Sequence, residues 1–133
     1  MAAEIPEKAL DLLQKPIVCV LITVMPDGQP QATPVWFDFD GTHIRVNTAD
    51  GRQKARNMER NSKVTVSIVD PQNGYHWLEW RGHVADIKDE SQGARDHINS
   101  LSKRYLGRDV YEGQSPDEHR QMYVIEADKI NAS

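Results

Sequence analysis

The sequence predicts a mainly β fold, a six-stranded antiparallel β-barrel with helices at its ends and crossings. Three observations predict it. Short runs rich in β-branched residues dominate the chain. Turn signals such as Pro26-Asp27-Gly28 and Asp40-Gly41 join neighbouring runs as hairpins. The predicted order α-β-β-β-α-β-β-α-β does not alternate one for one, as a doubly wound parallel sheet would. The 133 residues suit a single domain spanning 1–133, since domains typically hold roughly 100–150. Leu, Ile, Val and Phe make up 29 of the 133 and are clustered. A folded core follows, because disorder becomes the default only below roughly 20%.

The elements follow in order. Ile5, Ala9, Leu10, Leu12 and Leu13 form an apolar stripe at helical spacing. Pro6 suits the first turn of that helix and Pro16 ends it. Ile17 to Met25 reads as a strand buried on both faces. Residues 29–39 read as the next strand, but Pro30 and Pro34 cannot donate to a ladder. They imply an edge, a bulge or a place where the ladder opens toward a ligand. Residues 42–48 return from the Asp40-Gly41 hairpin. Ala49 to Asn61 reads as a helix, with Asp50 near its start and Arg60 in its last turn. Residues 63–70 alternate, with Val64, Val66 and Ile68 inward. A loop over 70–74 precedes a long strand, 75–88, in which Gly82 marks a bend or close approach. Ala94, Ile98, Leu101 and Tyr105 stripe a helix over 90–106, stopped by Gly107. Ser115 to Glu118 has the pattern of a capping box with Pro116 at the first helical position. Residues 121–130 form the last strand.

The formal charge is −4, and it is uneven. Residues 51–63 carry Arg52, Lys54, Arg56, Arg60 and Lys63 against Glu59, a block of +4 in a remainder of −8. A general nucleic-acid binder is basic over a whole face, so this pattern argues for a small, local anion and against nucleic acid. The block follows a strand directly, and Gly51 allows close backbone approach. A helix entered this way offers free N–H groups and its positive dipole end to an anion. Arg52 and Lys54 oppose that dipole, so a phosphate is the natural partner, set against the alternative of a solvated helix face.

Other chemistry finds little footing. The five histidines show no HxxxH or HExxH spacing, so no metal site is expected. Cys19, the one cysteine, lies in an apolar run, so neither a disulfide nor a thiol nucleophile is expected. No serine sits in GxSxG. Trp77 and Trp80 are an odd number apart and so face opposite sides of a strand. One suits the core, the other a groove or interface. The N-terminus lacks the basic start and long apolar core of a signal peptide, and no run approaches the roughly 20 apolar residues of a membrane span. A cytoplasmic protein is expected. No catalytic set emerges, which suits an enzyme whose cofactor carries the hard chemistry.

Three stretches carry a family resemblance. They are Gly28, Pro30 and Pro34 to Phe37; the run Asn47 to Asn57; and Asp70 to Gly82. Together they resemble the split β-barrel, FMN-binding-like flavin/deazaflavin oxidoreductases of the pyridoxamine 5'-phosphate oxidase-like superfamily. The closest likeness is to the branch that uses the deazaflavin coenzyme F420. The resemblance implies that Asn47, Thr48, Arg52, Lys54 and Asn57 hold the cofactor phosphate. It implies that the flat ring lies along Gln31, Thr33, Pro34, Val35 and Trp36. It implies a homodimer with the cofactor at the interface and Trp77 coming from the partner. The outer wall of the pocket is expected from the 107–119 loop and the partner chain. Oxidation of pyridoxamine phosphate is not expected, because the oxidase's own substrate-phosphate residues and C-terminal extension are not recognisable. The implied reaction is hydride transfer from reduced F420 to a small electron-poor acceptor, with no side chain assigned as catalytic. The alternatives are an FMN-binding oxidoreductase on the same barrel and a non-catalytic F420-binding protein.

Overall fold

A computed structural model describes residues 2–113, 115 and 117–133. A 3-10 turn, Glu7–Ala9, runs into α1 (Leu10–Gln14). The strands are β1 (Cys19–Val24), β2 (Pro30–Val35), β3 (Phe37–Phe39), β4 (Ile44–Ala49), β5 (Lys63–Asp70), β6 (Asn73–Lys88) and β7 (Arg120–Ala132). Helix α2 (Gln53–Arg60) follows β4, and α3 (Ala94–Leu106) links β6 to β7.

All pairings are antiparallel, in the order β2-β1-β5-β6-β7-β4-β3. The first and last strands of that order, β2 and β3, are consecutive in the chain. The sheet therefore curls until segment 30–39 closes it, pairing with β1 through one half and β4 through the other. The expected count of six becomes seven because this strand breaks at Trp36, the residue that changes partners.

The core fills the curl. Leu21, Phe37, Ile44, Val46, Val66, Ile68, Leu78, Trp80, Tyr123 and Ile125 are buried in one cluster that also takes in Leu12, Leu13 and Met58 from the helices. The inward set on β5 is as the alternation requires. Trp80 is buried and Trp77 lies outside, as their odd spacing demands.

Three expectations need correction. β1 is not buried on both faces: Cys19 and Leu21 point inward while Val20 is exposed. The basic helix begins at Gln53, not Ala49, because Gly51 takes φ +85° and Arg52 stays extended as the N-cap. The 70–74 loop is shorter, since β6 already begins at Asn73. The capping-box pattern at 115–118 includes Pro116, which lies outside the described residues. The Glu118 N–H donates to Ser115 O at 3.2 Å.

Gly82 is the close approach its position suggested. The β6–β7 register shifts beside it, and a Cβ there would stand 2.0 Å from the Glu126 carbonyl oxygen. Gly82→Ala must push two strand backbones apart, so we expect it to lower unfolding free energy by roughly 1–3 kcal/mol. Chemical denaturation checks this, and an unchanged midpoint would show that the strands yield without cost.

Candidate functional site

Where segment 30–39 changes partners, its ladder is interrupted and a cleft of about 270 Å³ opens. The seam strand supplies Pro34, Val35 and Trp36, and α3 supplies Ile98 and Leu101. Val18 flanks one side, and Tyr111 comes from the segment between α3 and β7. The other end is polar: Asn47 from β4, Arg52 and Lys54 from the α2 entrance, and Arg120 from the start of β7.

Tyr105 secures the seam. Its ring stacks on Trp36 at 5.3 Å and 11°. Its hydroxyl accepts from the Phe37 N–H at 3.1 Å and donates to Ile17 O at 2.7 Å. Backbone groups that a strand break would strand in a buried site thus find a partner. Tyr111 meets Trp36 edge-on at 6.0 Å, so the cleft's apolar wall is an aromatic stack braced on two sides.

Beneath the polar end runs a buried chain of hydrogen bonds. Arg120 Nε donates to Asn47 Oδ1 at 2.9 Å. Asn47 Nδ2 donates to Ala94 O at 2.8 Å and to His97 Nδ1 at 3.1 Å. That leaves the imidazole proton on Nε2, which lies 3.2 Å from Asp38 Oδ2 but outside hydrogen-bond geometry. Asp38 also accepts both nitrogens of Arg45 at 2.8 Å in a bidentate pair. Burial opposes ionisation of Asp38, but His97 and Arg45 outweigh it and hold its pKa at about 2.

The polar end is electropositive. Lys54 has its pKa lowered by burial and by the charges of Arg52 and Arg120. An anion would relieve that crowding. No side chain caps α2, so its first N–H groups are also free to meet an anion.

The cleft unites six of the residues singled out from the sequence: Pro34, Val35, Trp36, Asn47, Arg52 and Lys54. Gln31, Thr33 and Asn57 lie elsewhere, in a polar ladder that ties α2 to β1 and β2. Asn57 Nδ2 donates to Thr23 Oγ1 at 3.0 Å, Thr23 donates to Gln31 Oε1 at 2.8 Å, and Gln31 donates to Thr33 at 2.8 Å. Thr48 shares the strand face of Ile44 and Val46, and its buried hydroxyl has no hydrogen-bond partner among the described residues. Trp77 is 38% exposed on the outer surface and does not line this cleft.

Arg56 bonds Gly51 O at 3.2 Å and Gln53 at 2.6 Å. Arg60 reaches Val24 O and Asn57, so it braces the helix on β1 and is not simply solvated. Arg120 and Tyr111 escaped notice in the sequence. The signal for Arg120 was a base opening a strand just before the apolar run Met122 to Ile125, and close to Glu118. Tyr111 left none.

Cys19 is buried, and burial pushes its thiol up to about 12, so it is inert as a nucleophile. Two surface groups bring a histidine near carboxylates: Asp11, Asp70 and His76, and His83, Glu126 and Asp128. In the first, Asp11 accepts from His76 Nε2 at 2.9 Å. Among the described residues, no helix is long and apolar enough to cross a membrane.

Residues 5–133 match the pyridoxamine 5'-phosphate oxidase family, and the chain belongs to it. One similar solved structure, described as an F420 reductase, is 34% identical with a TM-score of 0.84, covering 96% of this chain and 98% of that one. A second, described as a putative pyridoxamine 5'-phosphate oxidase from Listeria innocua, is 23% identical with a TM-score of 0.74 over 95% of each chain. A third, a conserved hypothetical protein from Mycobacterium tuberculosis, is 23% identical with a TM-score of 0.77, covering 98% of this chain and 85% of that one. The last two attest the fold alone. Family and first neighbour together suggest an oxidoreductase with a flavin-type or deazaflavin coenzyme. The donor set fits such a group: aromatic and apolar walls suit a flat ring, and three cations suit a phosphate. A volume at the small end of ligand pockets (roughly 300–1,000 Å³) suits the ring while the tail runs outward.

Two outcomes follow from this geometry. Asp38 gains stability from ionisation in the folded state, because its pKa is depressed from 3.8 to about 2. That contribution is complete above the unfolded value and is lost as pH falls through about 2. In Asp38→Asn the stability loss between pH 4 and 2 should shrink by roughly 2 kcal/mol, read from denaturant midpoints across that range. Tyr105→Phe leaves the Phe37 N–H and Ile17 carbonyl without their partner. It should cost about 1–3 kcal/mol and shift the emission of Trp36; neither change would appear if the seam held itself.

Proposed function

We propose that this protein is an F420-dependent reductase. It would transfer hydride from the reduced deazaflavin to a small electron-poor organic acceptor. The observation that carries this reading is the cleft's polarity along its length: Pro34, Val35 and Trp36 at one end, Arg52, Lys54 and Arg120 at the other. The 34% identity to a structure described as an F420 reductase supports deazaflavin over FMN.

When bound, the coenzyme supplies the hydride chemistry. The chain's residues do the rest. Arg52, Lys54 and Arg120 bind the phosphate in charge-assisted bonds. Asn47 aims the Arg120 guanidinium, since its Oδ1 holds Nε. Trp36, pressed between Tyr105 and Tyr111, gives the ring a flat and rigid wall. β2 ends the sheet order, so its second edge has backbone groups uncommitted to a ladder and ready for the ring's polar edge. Ile98 and Leu101 exclude water from the floor.

We further propose a homodimer. Val18, Val20, Val69, Tyr75 and Trp77 are exposed on the outer faces of neighbouring strands and their approaches. Val18 also borders the cleft, so a partner seated on this face would reach the cleft rim and bring Trp77 toward it. The chemistry expected is that of a protein free of nucleic acid and membrane.

The test is Arg52→Ala with Lys54→Ala. The double variant should fold and lose F420 binding by at least a hundredfold in a fluorescence titration, two charge-assisted bonds being worth roughly 3 kcal/mol together. An affinity equal to that of the parent would refute the phosphate assignment.

A further inference from the structure

The cationic end of the cleft already holds an anion of its own. Glu118 bridges two arginines: Oε1 accepts from Arg52 at 3.1 Å and Oε2 accepts from Arg120 at 3.0 Å. Its side chain is 13% exposed. The two arginines are held very differently. Arg120 is 3% exposed, donates to Asn47 and lies 5.3 Å from the centre of the Tyr111 ring. The Arg52 side chain is 46% exposed, and Glu118 is its one hydrogen-bonded partner among the described residues. An exposed pair of this kind adds little stability, whereas freeing Arg120 would strand a buried charge.

The backbone beside Glu118 is fixed independently of these pairs. Its N–H donates to Ser115 O at 3.2 Å, and its carbonyl accepts from Arg95 at 3.4 Å. The next carbonyl, of His119, accepts from the Asp50 N–H at 2.7 Å. Only the Glu118–Arg52 contact can give way cheaply.

We propose that Glu118 tunes the anion affinity of the cleft, competing with the ligand's phosphate for Arg52 and yielding it on binding while staying on Arg120. This deepens the coenzyme reading and rests on it. The contact is a threshold that a phosphate group overcomes by replacing one carboxylate contact with several charge-assisted bonds. A ring without a phosphate has nothing to offer Arg52 and leaves the pair closed. Glu118 would then hold down the affinity for a phosphorylated coenzyme while leaving that of its dephosphorylated form untouched.

FMN and riboflavin differ only in the phosphate, and pyrophosphate probes the cations without any ring. In Glu118→Gln, the Kd for FMN and for pyrophosphate should fall about fivefold, while that for riboflavin changes less than twofold. In an Arg52→Gln background the gain from Glu118→Gln should shrink below twofold, because the competitor has lost its object. Glu118→Asp, too short to span both arginines, should also tighten pyrophosphate if the glutamine variant fails to fold. The proposal is overturned if pyrophosphate affinity is unchanged or weaker, if riboflavin tightens equally, or if the gain persists without Arg52. Should neither FMN nor F420 bind while pyrophosphate still tightens in Glu118→Gln, the coenzyme reading falls and the role of Glu118 stands.

Discussion

The cleft exists because one strand changes partners, and that change depends on a single phenol. Segment 30–39 leaves β1 and joins β4 at Trp36. A sheet that splits there must strand backbone polar groups in a half-buried place. The Tyr105 hydroxyl meets the Phe37 N–H and the Ile17 carbonyl at once, and its ring lies flat on Trp36. The same side chain therefore closes the barrel's seam and sets the cleft's wall. Pro34 fits the arrangement, because a residue without an N–H loses little next to an interrupted ladder.

A second layer of order is electrostatic. Arg52, Lys54 and Arg120 converge where burial makes like charges costly. Their neighbours answer in graded fashion: Asn47 and Glu118 hold Arg120 firmly, while Arg52 is held at its tip alone. From Arg120 the chain of contacts runs inward through Asn47 and His97 to Asp38 and Arg45. A buried polar network of this kind is favourable only when nearly every member is satisfied. It anchors β3, β4, α3 and β7 around the cleft, so Arg120 stands on rigid elements and not on a loose surface.

Much of this was legible in the sequence. Alternation in 63–70, the odd spacing of Trp77 and Trp80, and the hairpin at Asp40-Gly41 led to the right strands and faces. The prolines of 29–39 announced the open ladder, and the basic block marked the cationic end of the cleft. What the sequence could not carry was long-range. Arg120 lies 73 residues from Asn47, and only the β4–β7 pairing brings them together. Asn57 and Gln31 matched a binding pattern, and the structure joins them through Thr23, a contact reached only across the fold. Val18 and Val20 looked like core by composition. Alternation along β1 turns Val20 outward instead, onto an apolar face it shares with Val69 and Trp77.

The claim at the centre is that an aromatic wall and a cationic end together define a site for a phosphorylated deazaflavin. The most direct measurement is a side-by-side titration of F420 and FMN on one sample, followed by mixing the reduced F420 complex with quinone, enone and tetrapyrrole acceptors. The account predicts that F420 binds more tightly than FMN and that at least one acceptor reoxidises it faster in the presence of the protein. Tighter binding of FMN, or no binding of either, would contradict it.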